Sequence, residues 1–339
     1  MVYLTVSRTV GFYLSEIFER FAILNQKPPV SVNILKPFTG WVLDGLIRDA
    51  ANAGKQALHW NIFARGRSDW IHPKVIMSTF FPKRGEIALF AHHETFFNYG
   101  NNPIFKNSEK RIYLTHLNDG ANFSKDEISM LNDADHIFTQ NREFQAQLIS
   151  LGIARSKLLL APGSVDRKIY FPHKNQVAIS YVLISGYFKY RKNPELIAEV
   201  ISKMPDFNFI FHGRFREEFP FGFFESNQNV KWLEFDKKFQ PELMRNASLF
   251  LSLSRIEGGP IGLLEALASG VPVVATDTGF AKEFLTSENG FLLANNPNSE
   301  EVVYAIRRTL DKFKDEPRRD FLAGENTPQD LAKILFAPH

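Results

Sequence analysis

Apolar residues along this chain follow two rhythms: short continuous runs, and stretches in which they return every three or four positions. The first suits strands covered on both faces, the second helices with one apolar side. Residues 9–25 set Val10, Tyr13, Leu14, Ile17, Phe18, Phe21 and Ile23 near one helical stripe, which Lys27-Pro28-Pro29 ends. Residues 30–35 then read as a strand, 37–40 as a turn and 41–53 as a helix closed by Gly54. Further strands are predicted at 56–60, 75–79, 87–91, 111–115 and 136–139.

The pattern restarts in the second half. Strands are expected at 177–185, 207–212, 230–235, 249–252 and 272–276, with helices at 194–203, 241–246 and 261–269. Alternation of strand and helix from two starting points predicts two doubly wound α/β domains. Pro162, Gly163 and Pro172 interrupt regular structure between them. The boundaries read as 1–168, 169–312 and a tail, 313–339, with the option of crossing back to the first domain.

Composition narrows the chemistry. Hydrophobic residues make up 44% and charged residues 23%, an ordinary globular mixture rather than a disordered one. The absence of cysteine excludes disulfides, thiolate metal sites and a cysteine nucleophile, and fits a reducing, cytoplasmic setting. A net charge of +3 gives no reason to expect nucleic-acid binding. Lys168 divides the charge unevenly, with 20 basic and 15 acidic residues up to it and 20 and 22 after it. That excess leaves open an anionic acceptor or a peripheral membrane contact for the first half, although scattered solvated charge gives the same numbers. No uncharged apolar run approaches the ~18 residues of a membrane span. Arg8, Glu16, Glu19 and Arg20 break up the N-terminal apolar stretch, unlike a secretory signal.

Candidate chemistry concentrates in residues 254–270, SRIEGGPIGLLEALASG. A strand leads into a loop with Gly258 and Gly259, where the backbone can approach a ligand closely. Pro260 fits a first helical position, and the amides of Ile261 and Gly262 offer an anion site at the helix start. Gly262, Glu265 and Ser269 fall on one face, small except for one carboxylate suited to vicinal hydroxyls. An ordinary strand–glycine–helix turn would look similar, but a second carboxylate, Glu257, stands eight positions before Glu265.

Glu257 and Glu265 bracket seven residues, and with the following ALASGVPVVATDTG this segment resembles retaining glycosyltransferase family 4, of GT-B fold and Glu-x7-Glu motif. The resemblance extends to APGSVD with Phe171-Pro172, to Ser185-Gly186 with Lys192, and to IFHGR, VKWLEF and PELMRNASLFLSLS. LNDADHIFTQ and QLISLGI resemble the end of the family's first domain, while residues 1–110 match mainly through a strand, the Gly40 turn and a helix. It implies two Rossmann-like domains facing each other across a cleft and a nucleotide-diphosphate sugar donor. Glu265 would bind ribose hydroxyls, Glu257 hydroxyls of the transferred sugar, and Lys192 the leaving diphosphate. His116, in YLTHLND, falls where the family has a histidine near the sugar, and Gly40, Gly258, Gly259, Ile261 and Gly262 would border the donor.

Three positions depart from the family pattern. Tyr187 stands where an arginine is usual, leaving that role to Lys189, Arg191 or Arg214; Pro260 and Glu234 each replace a frequent glycine. The resemblance implies transfer of a hexose, with retention and without metal or cofactor, to a hydroxyl of a glycan or lipid-linked acceptor. The alternatives are a non-catalytic sugar-nucleotide-binding or interaction protein of the same fold, or a GT-B epimerase or phosphorylase. Asp133-Ala134-Asp135 reads as helix-end and turn chemistry rather than a metal site, and His92-His93-Glu94 lacks a further ligand at recognisable spacing.

Overall fold

A computed structural model describes residues 31–36, 42–54, 57–63, 87–115, 123–173, 181–215, 222, 224 and 227–337. The helix expected at 9–25 and the strand at 75–79 lie outside them, as do Gly40 and His116. The chain divides into two compact units, residues 1–110 and 111–339.

In the first unit β1 (Ser31–Lys36) runs parallel to β2 (Ala57–Phe63) on one side and β3 (Ile87–Phe90) on the other. Helix α1 (Val42–Ala53) makes the crossover from β1 to β2 and carries Leu46, Ile47, Ala50 and Ala51 on its buried side. All four residues of β3 are buried, as its unbroken apolar sequence demands. Helix α2 (His93–Tyr99) follows, and Phe90 meets Phe96 and Phe105 edge to face at 5.1 and 5.6 Å between ring centres.

The chain passes into the second unit within β4 (Glu109–Leu114), which α3 (Lys125–Asn132), β5 (His136–Thr139), α4 (Arg142–Ser150) and β6 (Leu158–Leu160) follow, with the three strands parallel. A second series follows: β7 (Val182–Phe188), α5 (Pro194–Ser202), β8 (Phe209–Phe215), β9 (Val230–Glu234), α6 (Gln240–Asn246), β10 (Leu249–Ser252), α7 (Ile261–Ala268) and β11 (Val273–Thr276). It closes with α8 (Ala281–Phe284), β12 (Gly290–Leu293), α9 (Ser299–Phe313) and α10 (Pro328–Phe336). Strands β7–β12 form one parallel sheet of six strands in the order β12-β11-β10-β7-β8-β9.

Both faces of the second sheet are covered. On one, α5 and α9 contribute Ile197, Val200, Ile201, Val302, Ala305 and Ile306; on the other, α6 and α7 contribute Met244, Leu263, Leu264 and Leu267. Part of the phenylalanine excess packs here, where Phe211 stacks on Trp232 at 4.2 Å and meets Phe188 and Phe224 at 5.3 and 5.2 Å. Among the elements that the apolar pattern did not mark, two are signalled by their caps as much as by period. Helix α9 has a reciprocal capping box between Asn298 and Glu301, and α10 one between Thr327 and Asp330 with Pro328 at its first turn.

Helix α10 ends against the other series of strands in this unit. The buried Arg111 of β4 donates from Nη1 and Nη2 to the carbonyls of Leu335 and Ala337 at 2.5 and 2.7 Å. A guanidinium at a helix C-terminus satisfies carbonyls the helix itself leaves open and complements its dipole.

Candidate active site

The strand order fixes where a ligand can bind. The chain leaves β7 toward β8 and leaves β10 toward β11, on opposite sides, although β7 and β10 are hydrogen-bonded neighbours. Their carboxyl ends therefore flank a crevice, the usual ligand position in such sheets. Gly186 lies near the end of β7, and the Ser254–Pro260 loop follows β10.

Lys192 reaches this place because the backbone reverses sharply after β7. Residues Tyr190–Lys192 make one 3₁₀ turn, Asn193 adopts φ +59° and ψ +54°, and Pro194 opens α5. Asparagine is one of the few residues that tolerate that conformation, and proline is preset for a first helical turn. The amide of Arg255 donates to the carbonyl of Arg191 at 2.9 Å, tying this turn to the loop after β10.

Glu257 is the charged centre of the crevice. Arg191 Nη1 lies 2.7 Å from Glu257 Oε2 and also 2.7 Å from the Ile256 carbonyl, while Lys192 Nζ pairs with Glu257 Oε1. Ser254 Oγ donates to the same Oε1 at 2.9 Å. Burial pushes the carboxyl upward, but Lys192 and then Arg191 outweigh it and hold the group well below the usual carboxylate range. Gly186 takes φ +147°, a backbone conformation that side chains rarely adopt, and a methyl there would only touch Lys192 Nζ at 3.4 Å.

The glycine loop is clamped from several directions. A side chain at Gly258 would collide with the Thr115 carbonyl and meet Gln140 Oε1 at 2.9 Å; one at Gly259 would run into the Phe280 ring. Asn141 caps α4 by accepting from the Phe144 amide at 2.7 Å and donates from Nδ2 to the Gly258 carbonyl at 2.6 Å. The two glycines thus serve close approach of protein to the loop, where the sequence suggested approach of a ligand.

Helix α7 starts at Ile261, with Pro260 just outside it as the cap rather than within its first turn, and no side chain caps this N-terminus. The face shared by Gly262, Glu265 and Ser269 is partly a packing face. A methyl at Gly262 would press on Phe250 of β10 at 2.8 Å, and Ser269 is fully buried. Small residues at three- and four-residue spacing suit helix-on-strand contact as well as a ligand, and the sequence does not separate the two.

Glu265 carries the opposite electrostatics to Glu257. Burial raises its carboxyl above the ordinary value, with hydrogen bonds from Gln240 and Tyr170 and the charge of Lys237 pulling the other way. Tyr170 is itself pushed far up, by burial first and then by Glu265. Neither Gln240 nor Tyr170 stands out in the sequence as a site residue; only the fold brings them to Glu265.

The remaining predicted residues fall apart from this cluster. Tyr187 is 40% exposed, with Lys189 Nζ 5.1 Å above its ring, and Arg214 is exposed on β8 opposite it. Of the three cations considered for the missing arginine, the structure brings Arg191 to Lys192. Asp133 is the C-cap of α3, and His92 caps α2 by accepting from the Glu94 amide at 3.3 Å. His92, His93 and Glu94 do bring one ligand atom each within 4.8 Å of one another.

With this geometry in view, similarity to known proteins can be placed on the chain. Residues 167–323, which contain β7–β12 and both carboxylates, match the family described as Glycosyl transferases group 1. Over 189 residues the chain is 28% identical to the O-antigen biosynthesis glycosyltransferase WbnH of Escherichia coli, and equally to the probable O-antigen biosynthesis glycosyltransferase WbiN of that organism. That stretch is 55% of this chain and 53% of each relative, so the chain spans about half the length of the curated relatives it matches. Among solved structures, Anabaena HepE in complex with UDP-glucose superposes with a TM-score of 0.70 at 16% identity, over 91% of this chain and 95% of that one. Sucrose-phosphate synthase of Thermosynechococcus elongatus gives 0.68 at 13%, over 91% and 95%. The shared fold is GT-B, with two Rossmann-like domains built on parallel sheets.

Proposed function

We propose that this chain is a glycosyltransferase that moves a hexose from a nucleotide-diphosphate sugar to an acceptor hydroxyl with retention. The observation that carries the reading is Glu257, buried at the switch point between β7 and β10 and held by Arg191 and Lys192 beside the start of α7. A diphosphate entering this crevice offers both cations a new anionic partner and frees Glu257 to accept from sugar hydroxyls. Glu265 takes the ribose hydroxyls. The anomeric carbon–phosphate oxygen bond breaks, the acceptor oxygen bonds to that carbon from the same face, and the acceptor proton passes to the leaving phosphate oxygen. Catalysis then rests on stabilising the charge that grows on the diphosphate, supplied by Lys192, Arg191 and the helix amides, without metal.

The UDP-glucose held by HepE supports a UDP-hexose as the first donor to test. The relatives' role in O-antigen biosynthesis supports a glycan or lipid-linked acceptor. No helix among the described residues is long and apolar enough to cross a membrane, and we assign the reaction to the cytoplasm, in keeping with the cysteine-free sequence.

The test is donor turnover with UDP-, GDP-, ADP- and TDP-hexoses in EDTA, with and without polyprenyl-linked glycan. Nucleoside diphosphate release that is lost in Lys192→Ala and Glu257→Ala supports the reading, and the anomeric configuration of the product settles retention. Binding of a sugar nucleotide without release, with every acceptor tried, replaces it with a binding protein, which the exposed Tyr187 in the arginine position would suit. Epimerised sugar or sugar phosphate as product replaces it with an epimerase or phosphorylase.

A further inference from the structure

A line of polar groups runs from the loop after β9 through the buried His212 of β8 to Glu265, and its direction can be read from one end. The amide of Asp236 donates to His212 Nε2 at 3.1 Å, and a backbone N–H can only donate. His212 therefore carries its proton on Nδ1, which lies 2.5 Å from Gln240 Oε1. Ser185 Oγ donates to the same oxygen at 3.1 Å. With its carbonyl taken by two donors, the Gln240 side chain must turn its NH₂ the other way, where Nε2 meets Glu265 Oε2 at 3.1 Å. His212 and Gln240 are 1% and 3% exposed, so water does not compete for these groups.

We infer that Gln240 is a positioning residue, locked by His212 and Ser185, that fixes the Glu265 carboxylate for bidentate recognition of a nucleotide's vicinal ribose hydroxyls. The inference rests on the role given to Glu265 under Proposed function. A carboxylate offers about four acceptor sites. Gln240 and Tyr170 take one each, leaving capacity for two hydroxyl donors. The polarity of the chain also matters, since a donor from behind favours the ionised carboxylate, the only form that accepts from both hydroxyls. The groups facing Glu265 are Gln240 from α6, Tyr170 from the segment after β6, and Lys237 from the loop before α6; Arg245 faces Tyr170 in turn.

The test is calorimetric binding of UDP (or whichever of ADP, GDP and dTDP the wild type takes) across pH 5.5–8.5. Gln240→Met keeps the volume and removes the donor; it should weaken binding about tenfold at neutral pH. Its acid limb should move to higher pH, because the buried carboxylate has lost a group that favours ionisation. In an Glu265→Gln background the same change should have no further effect. Ser185→Ala, which removes one of the two donors to the Gln240 carbonyl without adding bulk, should shift the limb the same way by a smaller amount, and it decides the matter if Gln240→Met does not fold. If Glu265→Gln binds UDP as tightly as wild type, the role of Glu265 is wrong and the inference falls with it. If Glu265→Gln weakens binding while Gln240→Met keeps both affinity and pH profile, the inference alone is overturned. Full multiplication of the two effects in the double variant overturns it equally.

Discussion

Glu257 and Glu265 lie two helical turns apart in sequence, yet neutralising them should move stability in opposite directions. Glu257→Gln leaves Arg191 and Lys192 facing an uncharged amide at a position only 7% exposed, whereas the cations themselves are 26% and 15% exposed. Breaking one side of a fully buried pair costs about 3–5 kcal/mol; with the cations able to turn partly to solvent, about 2–3 kcal/mol is reasonable. In a unit of this size 1 kcal/mol moves Tm by about 2–4 °C, so Glu257→Gln should melt roughly 4–12 °C lower at pH 7.5. Glu265→Gln removes a carboxylate whose ionisation burial opposes, and should melt about 2–4 °C higher, on the order of 1 kcal/mol.

The pH dependence separates the two effects. The folded value of Glu257 is depressed, so its stabilisation is complete above the unfolded value near 4.5 and fades only as pH falls toward the folded one. The Glu257→Gln deficit should therefore stay flat from pH 8 to about 5.5 and narrow below about 4.5. The folded value of Glu265 is raised, so the wild type loses stability as pH climbs from the unfolded value through the folded one. The Glu265→Gln advantage should be greatest at alkaline pH and vanish on acidification. Scanning fluorimetry from pH 4 to 8.5 reads both curves. A wild-type Tm for Glu257→Gln at pH 7.5, or a deficit that already shrinks between pH 8 and about 5.5, would refute the electrostatic assignment.

Three further outcomes follow from packing. Gly258→Ala should abolish turnover and lower Tm, because its methyl must displace the Thr115 carbonyl or the Gln140 side chain, and activity assays with thermal melts check both. Gly186→Ala should cost at least about 1 kcal/mol through its positive φ, read as a lower Tm; an unchanged melt would contradict that. Arg111→Met should release the end of α10, seen as faster proteolytic trimming after residue 327 with little change in donor affinity.

Much of the second sheet is legible in the sequence because its strands are covered on both faces. LFLS and VVAT are apolar up to their last residue and buried throughout, and β10 spans the predicted residues. The predicted end of α7 is also close, since Gly270 at φ +69° is a conformational necessity rather than a preference. The two carboxylates stand out locally, Glu257 beside a glycine loop and Glu265 on a helix face of small residues, whereas Lys192 is marked only by the family resemblance. What the pattern hid are partners that arrive from elsewhere. Ser254 precedes Glu257 by three residues and looks like any loop serine, Tyr170 looks like one more aromatic residue, and Asn141 looks like a helix cap, which it also is. Their second roles depend on which strand ends the topology brings together, and no local window contains that information.

The bond from Asn141 to the Gly258 carbonyl has a consequence for anyone recombining this chain with its relatives. The loop that presents Glu257 is seated partly on Thr115, Gln140 and Asn141, residues that belong to the β4–β6 series rather than to β7–β12. A chimaera joined between β6 and β7 would graft the β7–β12 half onto a foreign seat and inherit a displaced Glu257, even with every motif residue intact. A junction ahead of β4 keeps loop and seat together, and it also keeps Arg111 with the helix end it secures. The interchangeable module is thus larger than the motif-bearing domain, and its natural edge lies near residue 110.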